Sequence, residues 1–150
     1  MRKQKVKADW ASLALADSGS VVICTKARLD AGCVWFRSQD QFTEALNSRT
    51  LSVKRWAITV PKRLCIEKTL VLPACDFAEA AKMVEFELSS LVPLPPDKIV
   101  YGCTLKSQEK NSATLAVTIL RTKALEEFLL PYRDMGVEPN LIVVDSLAMW

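Results

Sequence analysis

The stretch from Cys65 to Pro96 constrains the fold of this 150-residue chain more than any other part of its sequence. It begins as an apolar strand and ends in a proline-rich exit, Val92-Pro93-Leu94-Pro95-Pro96. Between the two, Asp76 and Glu79 have the spacing of a capping box, in which aspartate replaces the usual serine and its charge is favoured by the helix dipole. We therefore expect a strand, a helix over about residues 77–91, and a turn into a further strand.

The composition predicts a packed core. Half of the residues are hydrophobic and a quarter are charged, which is typical of folded domains rather than of disordered or collagen-like chains. No apolar run approaches the roughly eighteen residues that a membrane helix needs, and the basic residues of Met1–Lys7 precede no apolar stretch. We therefore expect no transmembrane segment and no signal peptide, and we interpret the basic start as a solvated tail.

The histidine and cysteine content limits the chemistry that this sequence can support. It has no histidine, which excludes Ser-His, Cys-His and histidine-zinc sites. Its cysteines are odd in number, form no Cys-x-x-Cys pair and lie mainly in apolar segments, where free cysteine behaves as a small hydrophobic residue. We therefore expect a reducing cytoplasm and free thiols at all five positions: Cys24, Cys33, Cys65, Cys75 and Cys103.

The charge changes sign along the chain. Residues 1–70 hold thirteen basic and six acidic residues, a net charge of +7, and residues 71–150 have a net charge of −4, which suggests two parts of different character. The basic pairs Lys54-Arg55 and Lys62-Arg63 lack the interleaved aromatic side chains on which bases stack. We therefore interpret them as a solvated positive edge and expect no nucleic-acid partner.

The sequence patterns predict two series of strands and helices that together form an α+β fold, with a small subdomain inserted into a larger one. A three-strand meander opens the first series, and a serine–glutamine capping box at Ser38 and Gln41 starts its helix. The predicted order is strands Trp10–Leu15, Val21–Arg28 and Cys33–Phe36, helix 39–47, strands Arg55–Val60 and Cys65–Leu72, helix 77–91, strands Asp97–Leu105 and Ser112–Leu120, helix 122–135 and strand Leu141–Val144.

The helix over residues 77–91 has two apolar faces. Met83 and Phe86 lie on one face, which can either contact a partner peptide or pack within the fold, and both interpretations stay open. The other face has the spacing of a stripe that buries against a sheet, and it comprises Phe77, Ala81, Val84, Leu88 and Leu91. Glu85 and Glu87 point about 200° apart on a helix, so they cannot act on one bond as a catalytic pair.

Several motifs together resemble the PilM family of type IV pilus assembly proteins, and the related type II secretion protein GspL is similar. The resemblance is good over residues 55–150 and extends to residues 1–50 only in strand order. The motifs that carry it are Ala57-Ile58-Thr59-Val60-Pro61, Leu72-Pro73, the acidic helix leading into Val92-Pro93-Leu94-Pro95-Pro96-Asp97-Lys98-Ile99, Met135-Gly136-Val137-Glu138-Pro139, and Val143-Val144-Asp145-Ser146-Leu147.

The resemblance implies an actin-like (ribonuclease H-like) fold, similar to that of the cell-division protein FtsA. Residues 1–64 would then begin the first lobe, residues 65–139 would form the inserted FtsA-type subdomain, and residues 140–150 would return to the first lobe, with the rest of the protein beyond residue 150.

The resemblance also implies a function. The protein would be a non-catalytic cytoplasmic adaptor beneath the inner membrane, binding the N-terminal tail of a PilN-like bitopic protein. An assembly ATPase and further copies of the chain are additional expected partners. Met83, Phe86 and Leu94 are the residues predicted to contact the tail, with Met83 and Phe86 lining a groove between lobes.

An alternative implied by the same resemblance is an actin-like ATPase or nucleotide-gated switch. Such proteins place an Asp-x-Gly turn between their first two strands, where backbone amides approach phosphate. This sequence has Asp9-Trp10-Ala11 instead, so Asp9 is predicted either as a degenerate cofactor-binding residue or as a strand-entry or surface residue. No catalytic residue and no metal ligand is predicted, and ATP with Mg²⁺ would bind only to the full-length protein.

Overall fold

The computed structural model describes residues 6–16, 18–26 and 31–144. Strands and helices follow one another in the predicted order, with short 3₁₀ turns at Lys62–Leu64 and Pro96–Lys98. The bounds are β1 Val6–Leu15, β2 Val21–Lys26, β3 Ala31–Phe36, α1 Gln39–Asn47, β4 Leu51–Val60, β5 Cys65–Pro73, α2 Phe77–Leu91, β6 Ile99–Gln108, β7 Ser112–Arg121, α3 Thr122–Asp134 and β8 Pro139–Val144. The α+β class is thus confirmed.

The chain divides into two compact units. Unit 1 comprises residues 1–60 and 129–150, and unit 2 comprises residues 61–128. Unit 2 therefore begins and ends earlier than the 65–139 segment named above, and one boundary falls inside α3. The identity of unit 2 as an inserted FtsA-type subdomain stays a prediction.

Unit 1 is built on a five-stranded sheet of order β3-β2-β1-β4-β8. The three-strand meander is confirmed, because β1, β2 and β3 pair antiparallel in sequence. β4 pairs parallel with both β1 and β8. The pairing of Val6 with Leu51 explains why β1 and β4 begin earlier than predicted, since local sequence patterns carry no information about a partner strand.

α1 is anchored to the sheet of unit 1 by aromatic packing. Phe42 is fully buried and contacts Phe36 and Trp56 edge to face, with ring centroids 5.5 and 6.1 Å apart. The predicted N-cap is confirmed, because the Ser38 hydroxyl accepts a hydrogen bond from the Gln41 amide. The Gln41 side chain accepts the Arg37 amide rather than that of Ser38, so the reciprocal half of the predicted box is shifted by one residue.

α3 ends in a glycine stop, as predicted. Gly136 has φ +79° and its amide donates to the carbonyl of Arg133, while the Val137 amide donates to the carbonyl of Tyr132. This pair of bonds is the Schellman arrangement, which left-handed glycine permits. Val137 and Tyr132 are both buried, so the helix end is also held by apolar packing.

Unit 2 is a three-stranded antiparallel sheet of order β5-β7-β6. The predicted β6–β7 hairpin is confirmed. Alternate residues of β7 point to the side of α2, as expected for a strand. With α2 they form the core of the unit, which comprises Leu72, Ala80, Val84, Leu88, Val92, Ile99, Ala113, Leu115, Val117 and Ile119.

α2 begins with the predicted capping box. The Asp76 carboxylate accepts the Glu79 amide at 2.8 Å, and the Asp76 amide donates to the Glu79 carboxylate at 3.4 Å. The predicted buried stripe is only partly correct, because Phe77 is 53% exposed and Ala80 is buried in place of Ala81. Phe77 is the first residue of the helix.

The expectation of five free thiols is wrong for two of them. Cys24 of β2 and Cys33 of β3 are directly opposite in the antiparallel register and form a disulfide. The register decides this pairing, and spacing along the sequence does not reveal it. Among the described cysteines, Cys65, Cys75 and Cys103 are free.

Candidate functional site

Asp9 lies within β1 and not in the turn between β1 and β2, where the resemblance would place a phosphate-binding residue. Its carboxylate accepts a hydrogen bond from the Lys54 ammonium of β4 at 2.8 Å, and both side chains are about 70% exposed, at 69% and 71%. This bond and the charge of Lys54 hold the pKa of Asp9 below its usual range. The location agrees with the interpretation of Asp9 as a surface residue, and its proposed cofactor role stays a prediction.

The surroundings of Asp9 are basic. Arg55 lies over the Trp10 ring at 4.4 Å from the centroid, a cation–π contact. Lys7 and Lys54 line a shallow groove of about 240 Å³ beside Asp9. The Asp9 carboxylate therefore lies among cations, and one of its oxygens, Oδ1, accepts the hydrogen bond from Lys54.

The three predicted partner-binding residues differ in their surroundings. Phe86 of α2 is 84% exposed, whereas Met83 and Leu94 are half-buried and pack against the core of unit 2. The apolar contacts of Met83 and Leu94 with the core therefore stabilise unit 2 itself. Phe86 is the one of the three whose apolar surface is free to be covered by another molecule.

Unit 1 also contains an acidic groove that the sequence patterns did not predict. It lies beside α1 and the end of α3, with a volume of about 480 Å³, and Asp40, Glu44 and Asp134 contribute its carboxylates. The sequence signal for it was confined to α1, which contains Asp40 and Glu44 and no basic residue, since Arg133 precedes Asp134 at the end of α3. Within the described residues, no group of three or more cysteine, aspartate or glutamate side chains is arranged to hold a metal ion.

Two free thiols of unit 2, those of Cys65 and Cys103, lack the environment of reactive cysteines. Burial raises the pKa of the Cys65 thiol, and the charge of Glu67 raises it further. Burial also raises the pKa of Cys103. Reactive cysteines have a lowered pKa, because the thiolate is the nucleophile, so these two thiols stay neutral at physiological pH.

None of the helices in the described part of the chain combines the length and the apolar character needed to cross a bilayer. The sequence matches no protein-family model, and no curated protein matches it.

The solved structures that are similar to this chain include the following two. One is the cytoplasmic domain of EpsL, an inner-membrane component of the type II secretion system of Vibrio cholerae, with a TM-score of 0.60 and 10% identity over 94% of this chain and 59% of that chain. The other is a PilM–PilN type IV pilus biogenesis complex, with a TM-score of 0.67 and 14% identity over 96% of this chain and 49% of that chain.

These two structures come from the two groups of proteins that the sequence resembles, so the resemblance is confirmed at the level of the fold. The chain spans roughly half of the length of each, 59% and 49%. Fold alone does not establish function, because function depends on the site that a fold carries.

Proposed function

We propose that this chain belongs to a cytoplasmic platform protein of a type IV pilus or type II secretion-like assembly, and that it binds the cytoplasmic tail of a PilN-like inner-membrane protein. The protein would have an actin-like fold in which unit 2 is the inserted subdomain. It acts by holding partners together and carries no catalytic residue.

The observation that carries this proposal is the likeness to the PilM–PilN complex over 96% of the chain. A second structure of the same fold comes from a type II secretion component. Structural neighbours thus come from two machines, a type II secretion system and a type IV pilus, and the proposal takes from both a role as a component of such an assembly. The thiols of Cys65 and Cys103, whose pKa values are raised, and the ion-paired Asp9 add no chemistry that would favour an enzyme.

Phe86 is the residue through which we propose that unit 2 contacts the tail. A phenylalanine that is 84% exposed has an apolar area free for a partner, and aromatic anchors contribute strongly to binding when they become covered. The neighbouring Met83 is deformable and can adjust to a peptide while it stays attached to the core.

The test is a binding titration with a fluorescent peptide that carries the N-terminal cytoplasmic tail of a bitopic inner-membrane protein encoded beside this chain. The wild type should bind, and Phe86→Glu should weaken binding by about tenfold or more, as expected for an anchor. Trp35→Glu is the matched control, because Trp35 is also exposed, at 69%, but lies in unit 1. Absence of tail binding by the full-length protein contradicts the proposal.

The alternative function is an ATP-gated switch, and it makes a different prediction. It needs a free carboxylate near phosphate, whereas the Asp9 carboxylate accepts a hydrogen bond from Lys54. Calorimetry of the full-length protein with Mg-ATP distinguishes the two functions. Binding that Asp9→Asn abolishes supports the switch, and absence of binding supports the adaptor.

A further inference from the structure

The two edges of the unit 2 sheet differ in how they are protected from pairing with another strand. β5 contains Glu67 and Lys68 and ends at Pro73, and charges and proline are devices by which natural sheets block edge pairing. β6 contains neither a charged residue nor a proline from Ile99 to Leu105. The β6 edge is therefore the unprotected one.

β6 is also open to solvent. The sheet order leaves β7 as the only neighbouring strand of β6 in the described part of the chain. Five of the seven residues from Ile99 to Leu105 are exposed; Ile99 is buried and Cys103 half-buried. The backbone groups of β6 that point away from β7 can thus accept a further strand, and the side chains of Tyr101 and Leu105, 40% and 41% exposed, can be covered by it.

We propose that β6 pairs antiparallel with β6 of a second copy of this chain, about a twofold axis at Gly102, so that two sheets join into one of six strands. A twofold interface uses the same surface on both copies. Gly102 is the midpoint of the uncharged stretch from Ile99 to Leu105, so this register matches the whole stretch with itself. The inference is independent of the function proposed above.

The side chains that meet in this register are compatible on both faces. On the α2 side, Ile99 lies opposite Leu105 of the second copy, and Tyr101 lies opposite Cys103 of the second copy, so apolar residues face apolar residues. On the other side, Val100 meets Thr104 and the two Gly102 residues meet each other. No charges oppose each other within the stretch, which favours self-pairing over a charged partner.

The pairing has natural ends. Beyond the stretch, Lys98 would lie opposite Lys106 of the second copy, and like charges directly opposite each other are destabilising. The β6–β7 ladder is also irregular between Leu105 and Ser107, and bulges terminate regular pairing. The interface is therefore limited to seven residues from each copy.

Thr104 and Thr69 provide a matched pair of variants. Both are exposed threonines, and both pair with Ala116 of the central strand, Thr104 from β6 and Thr69 from β5. Thr104→Lys places a charge in the proposed interface, whereas Thr69→Lys places the same charge at the same level on the opposite edge. Matching far-UV circular dichroism and thermal unfolding of the two variants verifies that both are folded.

Sedimentation equilibrium of the 150-residue chain tests the proposal. The wild type and Thr69→Lys should change from monomer to dimer below a concentration of about 1 mM, and Thr104→Lys should need about tenfold more protein. A wild type that is monomeric at about 1 mM overturns the proposal, whether or not β6 binds another protein. Equal dimerisation of the two variants also overturns it.

The register is tested by cross-linking. Adding a Cβ atom at Gly102 meets no atom within 4 Å, so Gly102→Cys fits in a Cys103→Ser background. Opposite Cα atoms in antiparallel strands are about 4.5–5.5 Å apart, within disulfide range, so mild oxidation should give a covalent dimer. Thr69→Cys in the same background should give none, and equal yields from the two variants contradict the register.

Discussion

Cys24 and Cys33 lie directly opposite each other on β2 and β3, with their Cα atoms 4.2 Å apart, and their sulfur atoms form a disulfide. The bond closes a short loop, because the two residues are nine positions apart. It ties the edge strand of the unit 1 sheet to its neighbour. A reducing cytoplasm keeps thiols reduced. If the protein is cytoplasmic, as proposed, Cys24 and Cys33 would be two thiols in the cell, and the disulfide is the oxidised form of this pair.

Reduction of this bond should destabilise unit 1 by about 2–3 kcal/mol, since the cross-link removes loop-closure entropy from the unfolded chain. Urea unfolding with and without reductant, followed by tryptophan fluorescence, measures the effect, because residues 61–128 contain no tryptophan. The double variant Cys24→Ala, Cys33→Ala should be insensitive to reductant. An unchanged wild-type midpoint would show that the bond does not stabilise the native state.

Leu88 and Phe86 should respond oppositely to truncation. Leu88 is 3% exposed and Phe86 is 84% exposed. Leu88→Ala leaves a cavity in the core of unit 2 and should cost about 2–5 kcal/mol, whereas Phe86→Ala should stay within about 0.5 kcal/mol of the wild type. Urea unfolding followed by far-UV circular dichroism measures both. A large loss for Phe86→Ala would assign Phe86 to the fold and not to a binding surface.

Gly136 should be intolerant of a side chain for reasons of backbone conformation alone. A Cβ atom there meets nothing within 4 Å, but φ is +79°, a conformation that costs L-residues about 1–2 kcal/mol. Gly136→Ala should therefore lower the free energy of unfolding by about 1 kcal/mol or more. Gly32→Ala is the control, because Gly32 has equal space and no positive φ, and equal losses at the two positions would contradict the argument.

Cys65 should react slowly with iodoacetamide at neutral pH. Burial raises the pKa of its thiol, so the rate should rise with a midpoint above about 8.5, the pKa of a free cysteine. The folded state holds the thiol proton of Cys65 more tightly than the unfolded state does. The stability that this difference contributes is therefore complete below the unfolded pKa. It is lost as the pH rises through the folded pKa. Mass spectrometry of alkylated Cys65 measures the profile, and a midpoint below that of free cysteine would refute the burial.

Local signals in the sequence correctly predicted the elements that depend on neighbouring residues. The Asp76–Glu79 box, the glycine stop at Gly136 and the β6–β7 hairpin are each encoded within a few positions of one another. Such signals act through backbone hydrogen bonds and allowed φ angles, which need no distant partner. The order of strands and helices was therefore predictable.

The candidate binding surface was only partly predictable. Periodicity placed Met83 and Phe86 together on a second face of α2, but the structure packs Met83 on the core and leaves Phe86 exposed. Helical spacing shows that the two side chains lie near each other on the helix, but it does not show which of them reaches the core. The unprotected edge at β6 likewise became visible only when the strand order was known.

The sequence by itself determined which segments become helices and strands, where they are capped, and that the chain has an α+β core without histidine chemistry. Tertiary structure alone decided that Cys24 meets Cys33, that β4 extends along β1 from Leu51, and that β6 lies at an edge. The reason is physical. Capping and turns are local, whereas register and strand order depend on the packing of residues far apart in the chain.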